Sequence, residues 1–128
     1  MKNVVFVCVQ NACRSQIAEA FAKKYLPHCA CYSAGTNPAK RINAAAVRIM
    51  KDVYQINMEP EQYPKSLSQL PHKIDVLVTM GCGVNCPYVP CTQKIEWNIE
   101  DPVGKDDQYF INVIKKIRIK VRCLAAII

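Results

Sequence analysis

Asn3-Val4-Val5-Phe6-Val7-Cys8-Val9-Gln10-Asn11-Ala12-Cys13-Arg14-Ser15-Gln16-Ile17-Ala18-Glu19 is the stretch on which the fold turns. Residues 3–8 form a continuous, mainly apolar run, as expected of a strand buried on both faces of a sheet. A polar stretch follows, and Ser15 then opens a helix with Glu19 in its first turns. Ile17, Ala18, Phe21, Ala22 and Tyr25 recur at helical spacing, and Pro27 ends the run.

The same alternation continues outward. Cys29 to Ser33 reads as a second strand, closed by Gly35 and Pro38. Asn43 caps a helix with Ala46, Val47, Met50 and Val53 on one side. Residues 55–71 are irregular, with one short helical turn over Ser66–Leu70. Ile74–Thr79 is a third buried strand and Lys94–Trp97 a weaker fourth. Asp106–Ile128 is a long helix whose apolar side carries Phe110, Ile114, Ile117, Val121 and Leu124. Neither a repeat nor a linker divides the chain, so residues 1–128 are read as one catalytic domain. Strands alternating with helices predict a four-stranded parallel sheet with helices on both faces. In such sheets ligands bind beyond the carboxyl ends of the strands.

The loop after the first strand is therefore the first place to seek chemistry. Cys8 and Arg14 stand with five residues between them, between a buried strand and a helix start, where unpaired backbone N–H groups favour an anion. The oxyanion-binding candidates are Gln10, Asn11, Ala12, Cys13, Arg14 and Ser15. Arg14 can grip two oxygens with its planar fork, and Asn11 suits a sharp left-handed turn. A cysteine in such a field is favoured as thiolate, which makes Cys8 the candidate nucleophile, and Ser15 can donate a hydrogen bond to it.

Composition narrows the alternatives. Half of the 128 residues are apolar, which fits a folded globular chain. No apolar run reaches the roughly 18 residues of a membrane span, and Val4–Val9 is too short for a signal peptide. A cytoplasmic protein without membrane attachment is expected. The formal charge of +7 favours anionic partners. However, Lys115, Lys116, Arg118, Lys120 and Arg122 read as one solvated helix face, and no aromatic residues interleave with them. Nucleic acid is not an expected partner.

Cys8–Glu19 (CVQNACRSQIAE) resembles the active-site loop of the low-molecular-weight protein tyrosine phosphatases and of the thioredoxin-coupled arsenate reductases that share their fold. Ser33-Ala34-Gly35-Thr36 and Asp101-Pro102 resemble two further landmarks of that family, so the likeness spans nearly the whole chain. The resemblance implies an arsenate or phosphate-like oxyanion as substrate, Asp101 as the acid that protonates the departing oxygen, and no cofactor or resident metal. Protonation there is chemically sensible, because hydroxide and alkoxide are poor leaving groups.

Eight cysteines in a chain without a secretory segment point to catalytic, redox or metal roles before a disulfide scaffold. Cys82, Cys86 and Cys91 cluster in a Gly/Pro-rich loop after the third strand, a supply of thiols that a phosphatase does not need. Successive disulfides can deliver electrons. The reductase reading makes Cys82 the thiol that attacks the Cys8–arsenic adduct and Cys86 the thiol that relieves Cys82, with thioredoxin as final reductant. Cys86-Pro87-x-x-Pro90 resembles the sequence around the last cysteine of those reductases. Gln16 agrees, since the phosphatases usually carry proline there. Gln10 stands where many members have glycine, the Cys82–Cys86 spacing is short, and Gly81 looks like an insertion. Cys91 therefore competes with Cys86 as the final thiol.

Two other functions compete. One is a low-molecular-weight phosphatase with incidental cysteines. The other is a thiol-based arsenite or metal binder using Cys82, Cys86 and Cys91, although a closed zinc site wants four ligands and His28 and His72 are remote in sequence. Both histidines read as surface residues. Cys13, Cys29, Cys31 and Cys123 read as core or helix-packing thiols.

Overall fold

The computed structural model describes residues 1–81 and 88–128. Strands β1 (Lys2–Cys8), β2 (Cys29–Gly35), β3 (Val76–Thr79) and β4 (Gln93–Glu96) form one sheet in the order β2-β1-β3-β4, and each neighbouring pair is parallel. Helix α1 (Arg14–Tyr25) joins β1 to β2, α2 (Ala44–Tyr54) follows β2, and α3 (Asp107–Ile127) follows β4. A 3-10 turn at Leu67–Gln69 precedes β3.

β1 is central, and its composition explains why. Val4, Val5, Phe6 and Val7 are fully buried, so no face of this strand could tolerate the polar alternation of a surface strand. Side chains alternate across it. Val4, Phe6 and Cys8 join the larger core with Phe21, Met50 and Phe110, whereas Val5 and Val7 pack with Ile74 and Leu77 on the opposite face. The three α-helices contribute to the first core, and the 3-10 turn residue Leu67 and Leu70 cover the second. β4 lies at the edge, with three of its four residues exposed.

Each helix start has a local cause. Asn43 caps α2 by accepting from the Ala46 N–H at 3.1 Å, and Asp106 caps α3 by accepting from Tyr109 N–H at 2.9 Å. α1 begins one residue earlier than the sequence suggests, at Arg14, and has no side-chain cap. Its helix start is thus left open toward the preceding loop. α1 is also buried along all of Ser15–Ala22, wedged between the sheet, α2 and α3, instead of showing one apolar stripe. Phe21 meets Tyr54 of α2 edge-on at 5.1 Å, which joins the two helices.

Two packing expectations need correction. Val53, read as part of the inner side of α2, is 44% exposed, because Ala46, Ile49 and Met50 complete the buried side. Cys123 is exposed on α3, one residue before the buried Leu124. The basic face of α3 is also less free than its sequence suggests. Lys116 pairs with Glu100 at 2.6 Å, and Arg118 donates to the Tyr25 hydroxyl at 2.9 Å. Among the described residues, no helix is long and apolar enough to cross a membrane.

Candidate active site

The loop between β1 and α1 is shaped by its carbonyls. The oxygens of Cys8, Val9, Gln10 and Ala12 accept from the N–H groups of Thr36, Asn37, Ala39 and Asn43 at 2.7–3.3 Å. Among the described residues, none of the backbone N–H groups of residues 9–13 has a protein partner. The chain thus turns its acceptors outward and keeps its donors for the cavity side, the arrangement of an anion-binding nest. Asn11 makes the bend with φ of 50°. Gly35 is required where β2 passes beneath, since a Cβ there would lie 2.5 Å from the Val9 carbonyl oxygen and 2.9 Å from the Asn11 nitrogen.

At the base of this loop the Cys8 sulfur lies 2.8 Å from the Ser15 hydroxyl. Asn11 Nδ2 donates to that same hydroxyl oxygen at 2.7 Å, and Asn11 Oδ1 accepts from the Lys65 backbone N–H at 2.9 Å. A main-chain N–H can only donate, so the Asn11 amide has one orientation available. Ser15 then accepts from Asn11 and keeps its own proton available, so that with Cys8 as thiolate the hydroxyl is the donor to sulfur.

Arg14 stands half-buried at the first turn of α1, with Nη1 donating to the Ile99 carbonyl at 2.8 Å. That bond ties the guanidinium to the segment that runs into Asp101. Gly81, at φ of 80°, passes on another side, where an added Cβ would collide with the Arg14 Nη1. The glycine that looked like an insertion is the residue that lets the chain leave β3 past the guanidinium.

Cys8, Gln10, Ala12, Cys13, Arg14 and Asp101 line one cavity of about 610 Å³, with Arg41, Ile42 and Val103 on its further walls. Asn11 and Ser15 do not line it; their side chains are fully buried beneath. Asp101 is exposed, and its Oδ1 accepts from the Val103 N–H at 3.1 Å. Cys13 shares the cavity, but its thiol is pushed far above the ordinary range. Burial is the main cause, and the charges of Asp101 and Cys8 add to it against an opposing Arg14. Cys31 is likewise pushed up to about 12, chiefly by burial and then by Cys29 and Glu19. Neither thiol is poised to react.

Cys82 and Cys86 lie outside the described residues. Cys91 is half-buried against the smaller core with Val89. His28 and His72 are exposed, and among the described residues no three His, Cys, Asp or Glu groups gather as metal ligands. Sequence reading missed Gln62 and Lys65, which reach Gln16 of α1 and Asn11 of the loop from the irregular segment before β3. It also missed Arg41 and Val103. Each lacks a pattern of its own; a polar residue inside an aperiodic stretch carries no signal of burial.

Comparison with known proteins gives this geometry a lineage. The family of low molecular weight phosphotyrosine protein phosphatases matches residues 3–128. The chain belongs to that family. Among family members, an arsenate reductase of Brevibacillus brevis is 34% identical over 97% of this chain and 94% of its own length. A glutaredoxin arsenate reductase of Synechocystis is 35% identical over 98% of both. A solved arsenate reductase in the phosphate-binding state superimposes with a TM-score of 0.86, at 34% identity and over 98% of both chains. A thioredoxin-dependent arsenate reductase of Corynebacterium glutamicum gives 0.76 at 31% identity, over 97% of this chain and 60% of that one.

Proposed function

We propose that this member of the phosphatase family is an arsenate reductase. The observation that carries the reading is a cysteine sulfur 2.8 Å from a donor hydroxyl, in a cavity lined by free N–H groups, Arg14 and Asp101. The arsenate reductase names of the similar chains favour arsenic over a phosphoester as the target.

In this reading the loop N–H groups and Arg14 hold the oxyanion, and the Cys8 thiolate attacks arsenic(V). An oxygen leaves as water after Asp101 supplies a proton. Cys82 thiolate then attacks the Cys8 sulfur. The sulfur–arsenic electron pair stays on arsenic, which departs as arsenite, and a Cys8–Cys82 disulfide remains. Cys86 attacks Cys82, returning Cys8 as thiolate and leaving a Cys82–Cys86 disulfide. A dithiol protein of the thioredoxin class takes the oxidation away. Such a cycle belongs where thiols are kept reduced, so we place the enzyme in the cytoplasm.

The test is arsenate-dependent NADPH oxidation with thioredoxin and its reductase, and in parallel with glutaredoxin, glutathione and glutathione reductase. Cys8→Ser, Cys82→Ser and Cys86→Ser are each expected to abolish turnover, and Cys91→Ser to retain it. Aryl-phosphate hydrolysis that survives Cys82→Ser, with no arsenate turnover in the native protein, would establish the phosphatase instead. Full turnover by Cys86→Ser with loss in Cys91→Ser would move the last relay step to Cys91. Tight metal binding by an inactive protein would support the thiol binder.

A further inference from the structure

The Ser15–Asn11 pair beneath Cys8 is not where the buried polar chain ends. Gln16 Nε2 donates to both the backbone oxygen and Oδ1 of Asn11, each at 3.0 Å. Gln62 Nε2 in turn donates to the backbone oxygen of Gln16 at 3.0 Å and to its Oε1 at 2.8 Å. Gln62 is held by its own main chain, whose N–H donates to the Met58 carbonyl at 3.0 Å. Gln16 is fully buried and Gln62 nearly so.

The direction of this chain is set by main-chain atoms. Carbonyl oxygens only accept, so the Asn11 carbonyl obliges Gln16 to present its NH₂ there and turns the Gln16 Oε1 back toward Gln62. The Gln16 carbonyl obliges Gln62 to present its NH₂ in the same way. Every amide dipole therefore points one way, from Gln62 through Gln16, Asn11 and Ser15 to the sulfur. Aligned hydrogen bonds polarise one another, most effectively where water is excluded.

We propose that Gln62, acting through Gln16, is a positioning residue that keeps the Ser15 hydroxyl turned as a donor to the Cys8 thiolate. The inference rests on the reading of Cys8 as nucleophile. It supplies a physical role for Gln16, a residue that can both accept from one amide and donate to the next. Proline at that position can do neither through its side chain. Arg14, Arg41, Asp101 and Cys13 are the other charged or titratable groups among the described residues that share the cavity with Cys8. Gln62 hydrogen-bonds to none of them; its side-chain amide donates only to Gln16, although it shares a smaller cavity with Arg41.

Gln62→Met keeps the side chain's length and removes its donor. Gln62→Asn keeps a buried amide one methylene short of Gln16, and serves if the first variant does not fold. The rate of Cys8 alkylation by iodoacetamide, read by peptide mass spectrometry across pH, is expected to fall about three-fold on the acid limb in either variant and to match the native rate at high pH. The kcat for arsenate should fall by a similar factor with KM unchanged. Gln16→Met combined with Gln62→Met should cost no more than the worse single change, because both interrupt one chain. A native pH profile in both Gln62 variants, even with lowered thermal stability, would overturn the proposal. So would additive losses in the double variant. A native protein that alkylates normally at Cys8 yet reduces no arsenate would sink the reductase reading. The alkylation profiles would then still decide the role of Gln62.

Discussion

Ser15 has one proton to give, and the orientation of Asn11 directs it to sulfur. Hydrogen bonds to charged groups contribute about 1.5–3 kcal/mol, so Ser15→Ala is expected to lower kcat at least ten-fold near neutral pH. KM should change little, because Ser15 does not line the cavity. Steady-state kinetics decide this, and a change confined to KM would contradict it. Cys13 makes a second prediction at this scale. The folded protein holds the Cys13 proton more tightly than the unfolded chain does. As pH rises past the ordinary thiol value of 9.0, the unfolded chain loses that proton first and stability declines. The decline is at most about 1.4 kcal/mol per pH unit for one thiol. Cys13→Ala should remove that component, so urea midpoints of the two proteins should converge between about pH 8 and 10.5. Parallel curves would refute it.

At the scale of elements, the loop depends on β2 as much as on its own residues. Gly35→Ala pushes a methyl into the Val9 carbonyl and Asn11 nitrogen. An overpacked site of this kind costs about 1–3 kcal/mol, measurable as a lowered urea midpoint. Phosphate affinity should fall further than stability alone implies, since the displaced atoms shape the nest. Unchanged phosphate binding by calorimetry would mean that the loop relaxes freely. β1 was legible in the sequence as a continuous apolar run and α1, α2 and α3 as apolar residues at helical spacing, with capping residues Asn43 and Asp106 in place at α2 and α3. Cys8, Arg14 and Asp101 were found because their spacing and motifs lie on loops beside recognisable elements. Gln62 and Lys65 were not, and Gln16 stood out only as a departure from proline, because burial of polar groups runs against the hydrophobic pattern that the reading uses. Their role exists only once residues 16 and 62 are brought together by the fold. Lys65 illustrates the strain of that choice: burial draws its ammonium pKa down, and only Glu19, 3.6 Å away, counters it.

For the whole molecule, the larger core is what holds α1 against the sheet, and so holds the open helix start under the loop. Phe21 is fully buried within that core and touches both Tyr25 and Tyr54. Phe21→Ala is expected to cost about 3–5 kcal/mol, read as a loss of urea resistance. At equal folded fraction its residual turnover should remain near native. A specific collapse of kcat would show that packing reaches the site more directly. The outward-turned carbonyls carry one more consequence. A nest whose shape is fixed by its own chain reads charge and tetrahedral form, and arsenate and phosphate share both. In the proposed cycle, discrimination then falls to kinetics after capture, when only arsenic accepts the electron pair and leaves reduced. Phosphate, abundant in any cell, is then expected to occupy the empty site. It should compete with arsenate with an inhibition constant within about ten-fold of the arsenate KM, and resistance to the poison would be throttled by a nutrient.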